Sequence, residues 1–516
     1  MKTSVVPLIG DPLENLYQLG LREKEAFFLL EKRVIKLLST NFLLQMGQEI
    51  ITRAKTILKK KNQDQYFEKC IKAYSQGMGI DPNRYYSFLN LFELAAHYGQ
   101  IFPELKSMLP GCTSVFSTQG DEVGHVRLLD FPLIGIFEAR PRFYYWQGKD
   151  SPTLLTYSCE GMAPLMFQGI HESGMSFALH HKPGATYHEE GQSIFQIAFD
   201  GLMAASSAID FKKEMKKKTS ITKWCFLLLD KSGAAQALDI DGPALNSEFY
   251  NLKDTSPLIF TNIPLQKDSS GHESYLKFSE NRQSWTKTKL SSRKSSHILD
   301  LLTDVTDQKN KKWVHSAATL STVGAYYVNL SEGYIDVKEG DGALVASDAI
   351  IRLSLSKHQD IKVLKPAEQP NDFETAWKRA SLAQAAFDQG DIETAYHELQ
   401  MALAIIPHPV WKEIMNFYLC LWDFKFVTNT KELGLIYKKT KSLTPPEALK
   451  DQWLLLIMRL EKKLGLSSTV SAKDLSTHLH PLYWEEKAAN KAVFATWMKL
   501  IYPRMEILDV FSPHHK

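Results

Sequence analysis

The sequence has no long apolar run, no paired cysteines and no excess of either charge. None of its apolar stretches approaches 18 residues, so no membrane-spanning helix is expected. The first twenty residues carry one early lysine but no sustained apolar core of the kind that signal peptides have. A net charge of +3 over 516 residues is too small to indicate a nucleic-acid partner. With 44% hydrophobic and 23% charged residues, the composition predicts an ordinary soluble globular protein of two to four domains.

The cysteines are few and scattered. An odd number of them with no CxxC pair argues against a disulfide framework and against a zinc site. We therefore predict a reducing compartment and a cytoplasmic location, with no metal and no cofactor. The five positions are Cys70, Cys112, Cys159, Cys225 and Cys420.

The chain is organised around the stretch from Gly111 to Phe131. Two short β-branched and aromatic runs flank the turn residues 119–121, which predicts a hairpin. Such a hairpin brings Cys112 beside Arg127 and Asp130, although these lie far from it in sequence. A nearby cation favours the thiolate form of a cysteine, which is its nucleophilic form.

The Gly111–Cys112 bond suggests a further step. If this bond were cut, Cys112 would carry a free α-amino group, whose reference pKa of about 7.7–8.0 suits general-base catalysis near neutrality. Asp130 would then hold and orient the ammonium form. The residues alone leave an alternative open, in which Cys112 is an ordinary buried cysteine and Arg127 and Asp130 form a structural ion pair.

The stretch resembles the cysteine-type N-terminal-nucleophile hydrolases, which include isopenicillin N acyltransferase, choloylglycine hydrolase, acid ceramidase and N-acylethanolamine acid amidase. In that family the cysteine becomes the first residue after autoproteolysis, and the motif G-R-N-x-D-F supplies an arginine and an aspartate. Here Arg127 and Asp130 keep that spacing, whereas Gly124 stands two positions early and Leu128 replaces the asparagine. Two residues three positions apart cannot share one face of a regular strand, so we expect a bulge or a strand exit near Leu128.

The resemblance implies further site residues. Asn262, in a Thr-Asn pair after the apolar run 257–260, corresponds to an oxyanion donor. His180, in the segment 174–181, stands where the family has a second asparagine donor, and the preceding segment 172–174 resembles a structural turn. Arg282, in a Ser-x-x-Arg segment, corresponds to a second arginine of the site. Because the surrounding stretch 266–295 is rich in serine and lysine, it is predicted as a loop, and a plain surface arginine remains the alternative.

The histidines near His180 offer one more pattern. His180, His181 and His188 lie close in sequence to Glu189 and Glu190, which is compatible with a metal cluster. A cysteine nucleophile needs no metal, and a polar loop explains the same residues, so no metal site is predicted.

The chain divides into four predicted parts. Residues 1–111 are a helical segment that resembles the propeptide or α-subunit of the family, with helices at 12–38, 41–60, 63–77 and from 82 onward, ended by Pro103 and Pro110. Residues 112–355 mix strands and helices and form the catalytic domain, for which the resemblance implies an α+β fold, a four-layer αββα sandwich. A polar linker, 356–370, leads to a helical region, 371–516. The small residues Ala383, Ala395 and Ala402 in that region are typical of a tetratricopeptide-like helical hairpin.

The predicted function is an autoproteolytically matured amidase or acyltransferase that cleaves linear N-acyl amide bonds through a thioester on Cys112. Its partner would be a small-molecule amide, and the C-terminal helices would offer a surface for a protein or peptide. The alternative is a catalytically inactive fold that serves as a scaffold through those helices.

Overall fold

The computed structural model describes residues 3–38, 65–101, 111–119, 122–131, 135–137, 140–149, 151–183, 186–266, 273–291, 297–307, 312–313, 317–340, 344–357, 360–446, 449–488 and 505. The predicted helix at 41–60, the predicted helix ends at Pro103 and Pro110, and Gly120 with Asp121 in the predicted turn lie outside these residues. The chain forms two compact units. The first comprises 1–35, 47–305 and 315–369, and the second comprises 36–46, 306–314 and 370–516.

Two β-sheets form the centre of the first unit. The eight-stranded sheet has the order β1-β4-β5-β6-β7-β8-β9-β10, and the seven-stranded sheet has the order β11-β2-β3-β14-β15-β16-β17. Every pairing is antiparallel except that of β1 with β4. The strands are β1 Ser4–Gly10, β2 Gly111–Gln119, β3 Glu122–Asp130, β4 Pro141–Gly148, β5 Leu154–Cys159, β6 Gln168–His171, β7 Met175–His181, β8 Trp224–Asp230, β9 Ala234–Asp241, β10 Ala244–Asn251, β11 Leu258–Phe260, β14 Thr322–Asn329, β15 Tyr334–Lys338, β16 Ile350–Ser354 and β17 Lys362–Lys365.

In the described residues, seven α-helices accompany these sheets. They are α1 Pro12–Leu38, α2 Tyr66–Met78, α3 Pro82–Ile101, α4 Ile194–Ala204, α5 Ala208–Met215, α6 Glu273–Ser291 and α7 Ile298–Thr303. Asp11 caps the start of α1, because Asp11 Oδ1 accepts the backbone N–H groups of Leu13 and Glu14 at 3.0 and 3.3 Å. Although the sequence 194–217 has one continuous helical period, it forms two helices, α4 and α5.

Aromatic contacts show how the layers stack. Tyr326 of the seven-stranded sheet meets Tyr157 of the eight-stranded sheet with ring centroids 4.8 Å apart, so the two sheets face each other. Phe211 of α5 packs on Phe226 of β8 at 5.0 Å. On the other side of the sandwich, α6 reaches the outer face of β2 and β3 through Arg282. Helices therefore lie against both sheets of this mixed α/β unit.

Two strands were not expected from the sequence. β1 precedes the helices of the N-terminal segment and pairs with β4 over seven residues, from Ser4↔Arg142 to Gly10↔Gly148. β17 lies inside the predicted linker 356–370 and pairs with β16. The linker prediction is therefore wrong for 362–365, because the backbone there pairs with β16 and adds a strand at the edge of the sheet.

The second unit is helical apart from a short strand pair. Its elements are β12 Thr306–Asp307, β13 Lys312–Trp313, α8 Asp372–Gln389, α9 Ile392–Ile405, α10 Pro409–Phe426, α11 Thr430–Ser442, α12 Lys450–Leu464 and α13 His480–Ala488. α8 and α9 are consecutive helices joined by the turn at Gly390 and Asp391, and they form a helical hairpin. Gly390 ends α8 with a φ of 80°, and Asp391 caps α9. Ala383, Ala395 and Ala402 are fully buried, which lets the helices approach closely.

No helix in the described ranges is long and apolar enough to cross a membrane.

Candidate active site around Cys112

The β2–β3 hairpin brings the predicted residues together. Cys112 pairs with Leu129, Ser114 pairs with Arg127, and Gly111 pairs with Asp130. Because side chains alternate along a strand, those of Cys112 and Arg127 point between the two sheets, whereas that of Asp130 points to the outer face.

The expectation of a bulge near Leu128 is wrong for this hairpin. β3 pairs with β2 without a break, and the irregularity lies instead in the neighbouring strand β14, between Thr322 and Gly324. No bulge is needed because Arg127 and Asp130 serve opposite faces of the sheet. Asp130 is also the last residue of β3, so the expected strand exit follows it directly.

Arg127 directs a buried positive charge at the thiol. Its side chain is 2% exposed, and its Nη2 lies 3.3 Å from Cys112 Sγ. The same nitrogen donates to Leu179 O at 2.7 Å, and Nη1 donates to Phe167 O at 2.6 Å. Among the described residues no carboxylate lies within ion-pair distance of this guanidinium. Its contacts are therefore neutral oxygens and one sulfur, which is the group able to supply a negative charge.

Asp130 is held from the opposite face of the sheet by a second arginine. Arg282 Nη1 lies 2.8 Å from Asp130 Oδ2 and 3.1 Å from Thr113 Oγ1, and Thr322 Oγ1 donates to Asp130 Oδ1 at 2.5 Å. Burial raises the pKa of the Asp130 carboxyl above its ordinary value, while Arg282 and Thr322 oppose that rise.

The loop prediction for 266–295 is wrong over the range of α6. Arg282 is 1% exposed on this helix and belongs to the group around Cys112, so the surface alternative is also wrong. One face of this helix is buried, and its residues recur every three or four positions, as expected for a helix. They are Tyr275, Phe278, Ser279, Arg282 and Thr286. Three of these five residues are polar, which conceals the period from a search for apolar residues.

Gly111 has no room for a side chain. A Cβ at this position would lie 2.8 Å from Asp130 Oδ2. The glycine therefore lets the carboxylate approach the peptide that joins Gly111 to Cys112.

Asn262 lies against the backbone of Cys112. β11 pairs with β2 with Phe260 opposite Ser114, so two residues later the chain reaches Cys112. Asn262 Oδ1 accepts the Cys112 N–H at 3.0 Å and an Arg282 N–H at 2.6 Å, and Asn262 Nδ2 donates to His181 O at 2.8 Å. An amide nitrogen carries two hydrogens, so one N–H of Nδ2 remains for another acceptor.

His180 lies in a buried chain of hydrogen bonds between the sheets. His180 Nε2 is 2.8 Å from Ser114 Oγ, which is 3.2 Å from His125 Nε2. His125 Nδ1 is 3.1 Å from Ser176 Oγ, and that hydroxyl donates to Leu229 O at 3.4 Å. The carbonyl at the end only accepts, so it fixes the direction of every bond in the chain. His125 then carries its proton on Nδ1, and His180 carries its proton on Nε2.

The reverse direction makes one hydrogen bond fewer. It would also leave an N–H at His180 Nδ1, which is buried without a hydrogen-bond partner, and an unmet buried donor is costly. We therefore assign the Nε2–H tautomer from the hydrogen bonds. Burial, with Arg127 nearby, lowers the pKa of His180 well below its ordinary value and that of His125 to about 3, so both rings are neutral. The ring N–H of His180 is thus already engaged by Ser114.

Ser114, His125 and Thr322 are site residues that sequence reasoning missed. His125 could have been found from its position two residues before Arg127, because alternate residues of a strand share a face. The sequence offers no comparable signal for Thr322, which lies in β14, almost two hundred residues after Asp130. Of the histidines considered as a metal cluster, His180 contacts Ser114, and His188 Nε2 lies 3.2 Å from Asp241 Oδ1.

Comparison with solved structures gives matches to cysteine N-terminal-nucleophile hydrolases, the group that the Gly111–Phe131 stretch resembles. One is an N-acylethanolamine-hydrolyzing acid amidase ortholog from Caenorhabditis elegans, with 12% identity, a TM-score of 0.32, and coverage of 42% of this chain and 93% of that chain. Another is penicillin V acylase from Agrobacterium tumefaciens, with 10% identity, a TM-score of 0.30, and coverage of 50% and 99%. A third is a mutant conjugated bile acid hydrolase from Clostridium perfringens, with 12% identity, a TM-score of 0.31, and coverage of 49% and 96%.

No family model and no curated protein matches the chain. Likenesses at these identities and TM-scores carry no argument about activity. The function proposed below therefore rests on the contacts around Cys112.

Proposed function

We propose that this protein is a cysteine amidohydrolase or acyltransferase that cuts its own Gly111–Cys112 bond and then acts on linear N-acyl amides. The observation that carries the proposal is the 3.3 Å contact between Arg127 Nη2 and Cys112 Sγ, in a site where Asn262 holds the nitrogen of the same cysteine. The thiol of Cys112 thus lies beside a cation, and the backbone nitrogen of the same residue donates to a side-chain oxygen. A purely structural cysteine needs neither.

The reaction follows from these contacts. After cleavage, the α-amine of Cys112 takes the thiol proton, and Sγ attacks the acyl carbon of the substrate. The carbonyl electron pair moves to oxygen, and the remaining N–H of Asn262 Nδ2 stabilises that oxyanion. The oxyanion then collapses, the C–N bond breaks, and the leaving amine takes the proton from the α-ammonium. Water or an amine resolves the thioester in the same way, which returns the free thiol.

Two other residues support the nucleophile. Arg127 favours the thiolate, and Arg282 holds Asp130 beside Gly111 and Asn262 beside Cys112. In this proposal His180 orders the interior through Ser114 rather than donating to the oxyanion, because its N–H is already used. The C-terminal helices remain a predicted tetratricopeptide-like appendage.

Intact mass and N-terminal sequencing of the purified protein test the proposal. We expect two chains, one of which begins at Cys112, and a single full-length chain for Cys112→Ala. Cys225→Ala, which alters another fully buried free cysteine, should still cleave. If wild type stays uncut at mildly acidic and neutral pH and hydrolyses no N-acyl amide, the inactive scaffold becomes the better account.

A further inference from the structure

Lys182 is a buried lysine whose ammonium group contacts backbone carbonyls instead of an acid. Its side chain is 1% exposed, and its Nζ donates to Thr261 O at 2.9 Å and to Ile263 O at 2.6 Å. No carboxylate among the described residues lies within ion-pair distance of this nitrogen. Removing a charged group from water without a counter-ion costs free energy. The two carbonyl contacts replace hydrogen bonds to water, so they indicate that the position of this nitrogen is structurally important.

The two carbonyls flank Asn262. Lys182 therefore holds the peptide on each side of this residue, while the carbonyl of His181, the preceding residue in the chain, accepts from Asn262 Nδ2. The end of β7 thus fixes both the backbone and the side chain of Asn262. From β9, two strands away from β7 in the same sheet, Asp239 Oδ2 accepts the N–H of Leu265 at 2.7 Å and secures the end of the same segment.

We propose that Lys182 is a positioning residue for Asn262. By clamping the carbonyls of Thr261 and Ile263, it fixes the direction of the free N–H of Asn262 toward the developing oxyanion. This role rests on the function proposed for Asn262. Lys182 itself contacts neither the nucleophile nor the acyl group, so it acts on the orientation of the donor and not on substrate binding.

Steady-state kinetics of Lys182→Met on an N-acyl amide that wild type hydrolyses test this role. Because a donor displaced by about 1 Å can cost about 100-fold, we expect kcat to fall about 10- to 100-fold with KM nearly unchanged. Lys338→Met is a matched control. Lys338 is also 1% exposed, but its partner is Asp300, which Lys365 also holds. This control should lower the melting temperature without lowering kcat.

A double variant separates positioning from general stability. If Lys182 acts through Asn262, adding Lys182→Met to Asn262→Ala should cause no further fall in kcat. Independent, multiplying losses would overturn the proposal. So would a Lys182→Met protein that melts earlier but keeps full kcat when folded.

A crystal structure of Lys182→Met gives a readout that does not need activity. We expect residues 261–263 to move and the 3.0 Å contact between Asn262 Oδ1 and Cys112 N to be lost. If Asn262 keeps its position in this variant, the proposal that Lys182 positions it is wrong. If wild type hydrolyses no amide, the proposed function fails, and this measurement alone still decides whether Lys182 fixes Asn262.

Discussion

At the residue scale, the contact between Arg127 and Cys112 yields a direct test of thiolate formation. Arg127→Leu removes the cation 3.3 Å from Sγ, so less thiolate should be present and alkylation of Cys112 at neutral pH should slow by about tenfold or more. The measurement is the alkylation rate of Cys112 against pH, followed by peptide mass spectrometry.

The control for this experiment keeps the charge. Arg127→Lys retains a cation but loses the fork that also binds Phe167 O and Leu179 O, so its rate should fall between those of wild type and Arg127→Leu. If folded Arg127→Leu gives an unchanged curve of alkylation against pH, Arg127 does not act on the thiol.

His180 provides a second test at this scale. Loss of an oxyanion donor typically lowers turnover about a hundred- to a thousand-fold. Since Ser114 takes its N–H, we expect His180→Ala to reduce kcat far less than Asn262→Ala does. Nitrogen NMR should show protonated Nε2 in His180 and protonated Nδ1 in His125, unchanged from pH 5 to 8. A thousand-fold loss in His180→Ala, with partial recovery in His180→Asn, would restore the donor role suggested by the family resemblance.

The residues of the hairpin could be predicted from sequence because neighbouring strands fix their own register. Cys112, Arg127 and Gly111 all lie within twenty residues of one another. The direction of the His180 N–H could not be predicted, because it depends on Leu229 O at the far end of a chain of side chains from three strands.

At the element scale, α6 shows how composition conceals a helix whose buried face contacts the candidate site. Its serines, lysines and threonines are typical of a loop, and only the tertiary fold reveals that Arg282 and Thr286 form its buried face. Asn262 could be recognised from its Thr-Asn pair, but the contact that joins it to Arg282 could not. That contact requires β11 and α6 to meet at the start of β2, and no local pattern encodes such a meeting.

β1 is one element that ties the N-terminal segment to the rest of the first unit. It is an edge strand joined to β4, so this tie does not depend on the Gly111–Cys112 bond. We expect the two chains to elute together after cleavage under native conditions and to separate in denaturant. Size-exclusion chromatography with mass analysis of each peak measures this.

Two neighbouring residues of β1 form a matched pair for that test. Leu8 is fully buried, whereas Ile9 on the opposite face is 44% exposed. Leu8→Ala should weaken retention of the N-terminal chain by about 2–5 kcal/mol, and Ile9→Ala should change it little. Equal behaviour of the two variants would show that β1 does not hold the segment.

At the scale of the whole molecule, the division into mixed and helical parts follows from the sequence, because alternation and helical period change near residue 370. Two edge strands of the sheets, β1 and β17, could not be predicted from the sequence. β1 and β17 are short strands that are stable only against a neighbour, and both lie outside the predicted catalytic range 112–355. The first unit therefore begins before Cys112 and ends beyond the predicted boundary.

A buried carboxyl links the parts of the first unit on either side of Cys112. Glu93 of α3 is 1% exposed, and it accepts from Ile194 N and Ser193 Oγ at 3.1 Å each and from Thr222 Oγ1 at 2.7 Å. It therefore caps α4 from a helix that precedes Gly111 in the chain. Burial raises the pKa of Glu93 to about 7, and these hydrogen bonds oppose the rise.

This raised pKa predicts a pH dependence of stability with a definite sign. Between the ordinary glutamate pKa of 4.5 and about 7, the folded state binds a proton that the unfolded state has released. The contribution of Glu93 to the free energy of unfolding is therefore complete below pH 4.5 and falls, by about 3 kcal/mol in all, as the pH rises to 7. Denaturant unfolding measured between pH 4.5 and 8 should show this decline, and Glu93→Gln should remove it. Thr222→Val, which deletes one hydrogen bond to the carboxylate, should destabilise the protein but keep the decline and extend it to higher pH. If Glu93→Gln keeps the full slope, the decline belongs to other groups, and Glu93 does not make the joint between the N-terminal segment and α4 sensitive to pH.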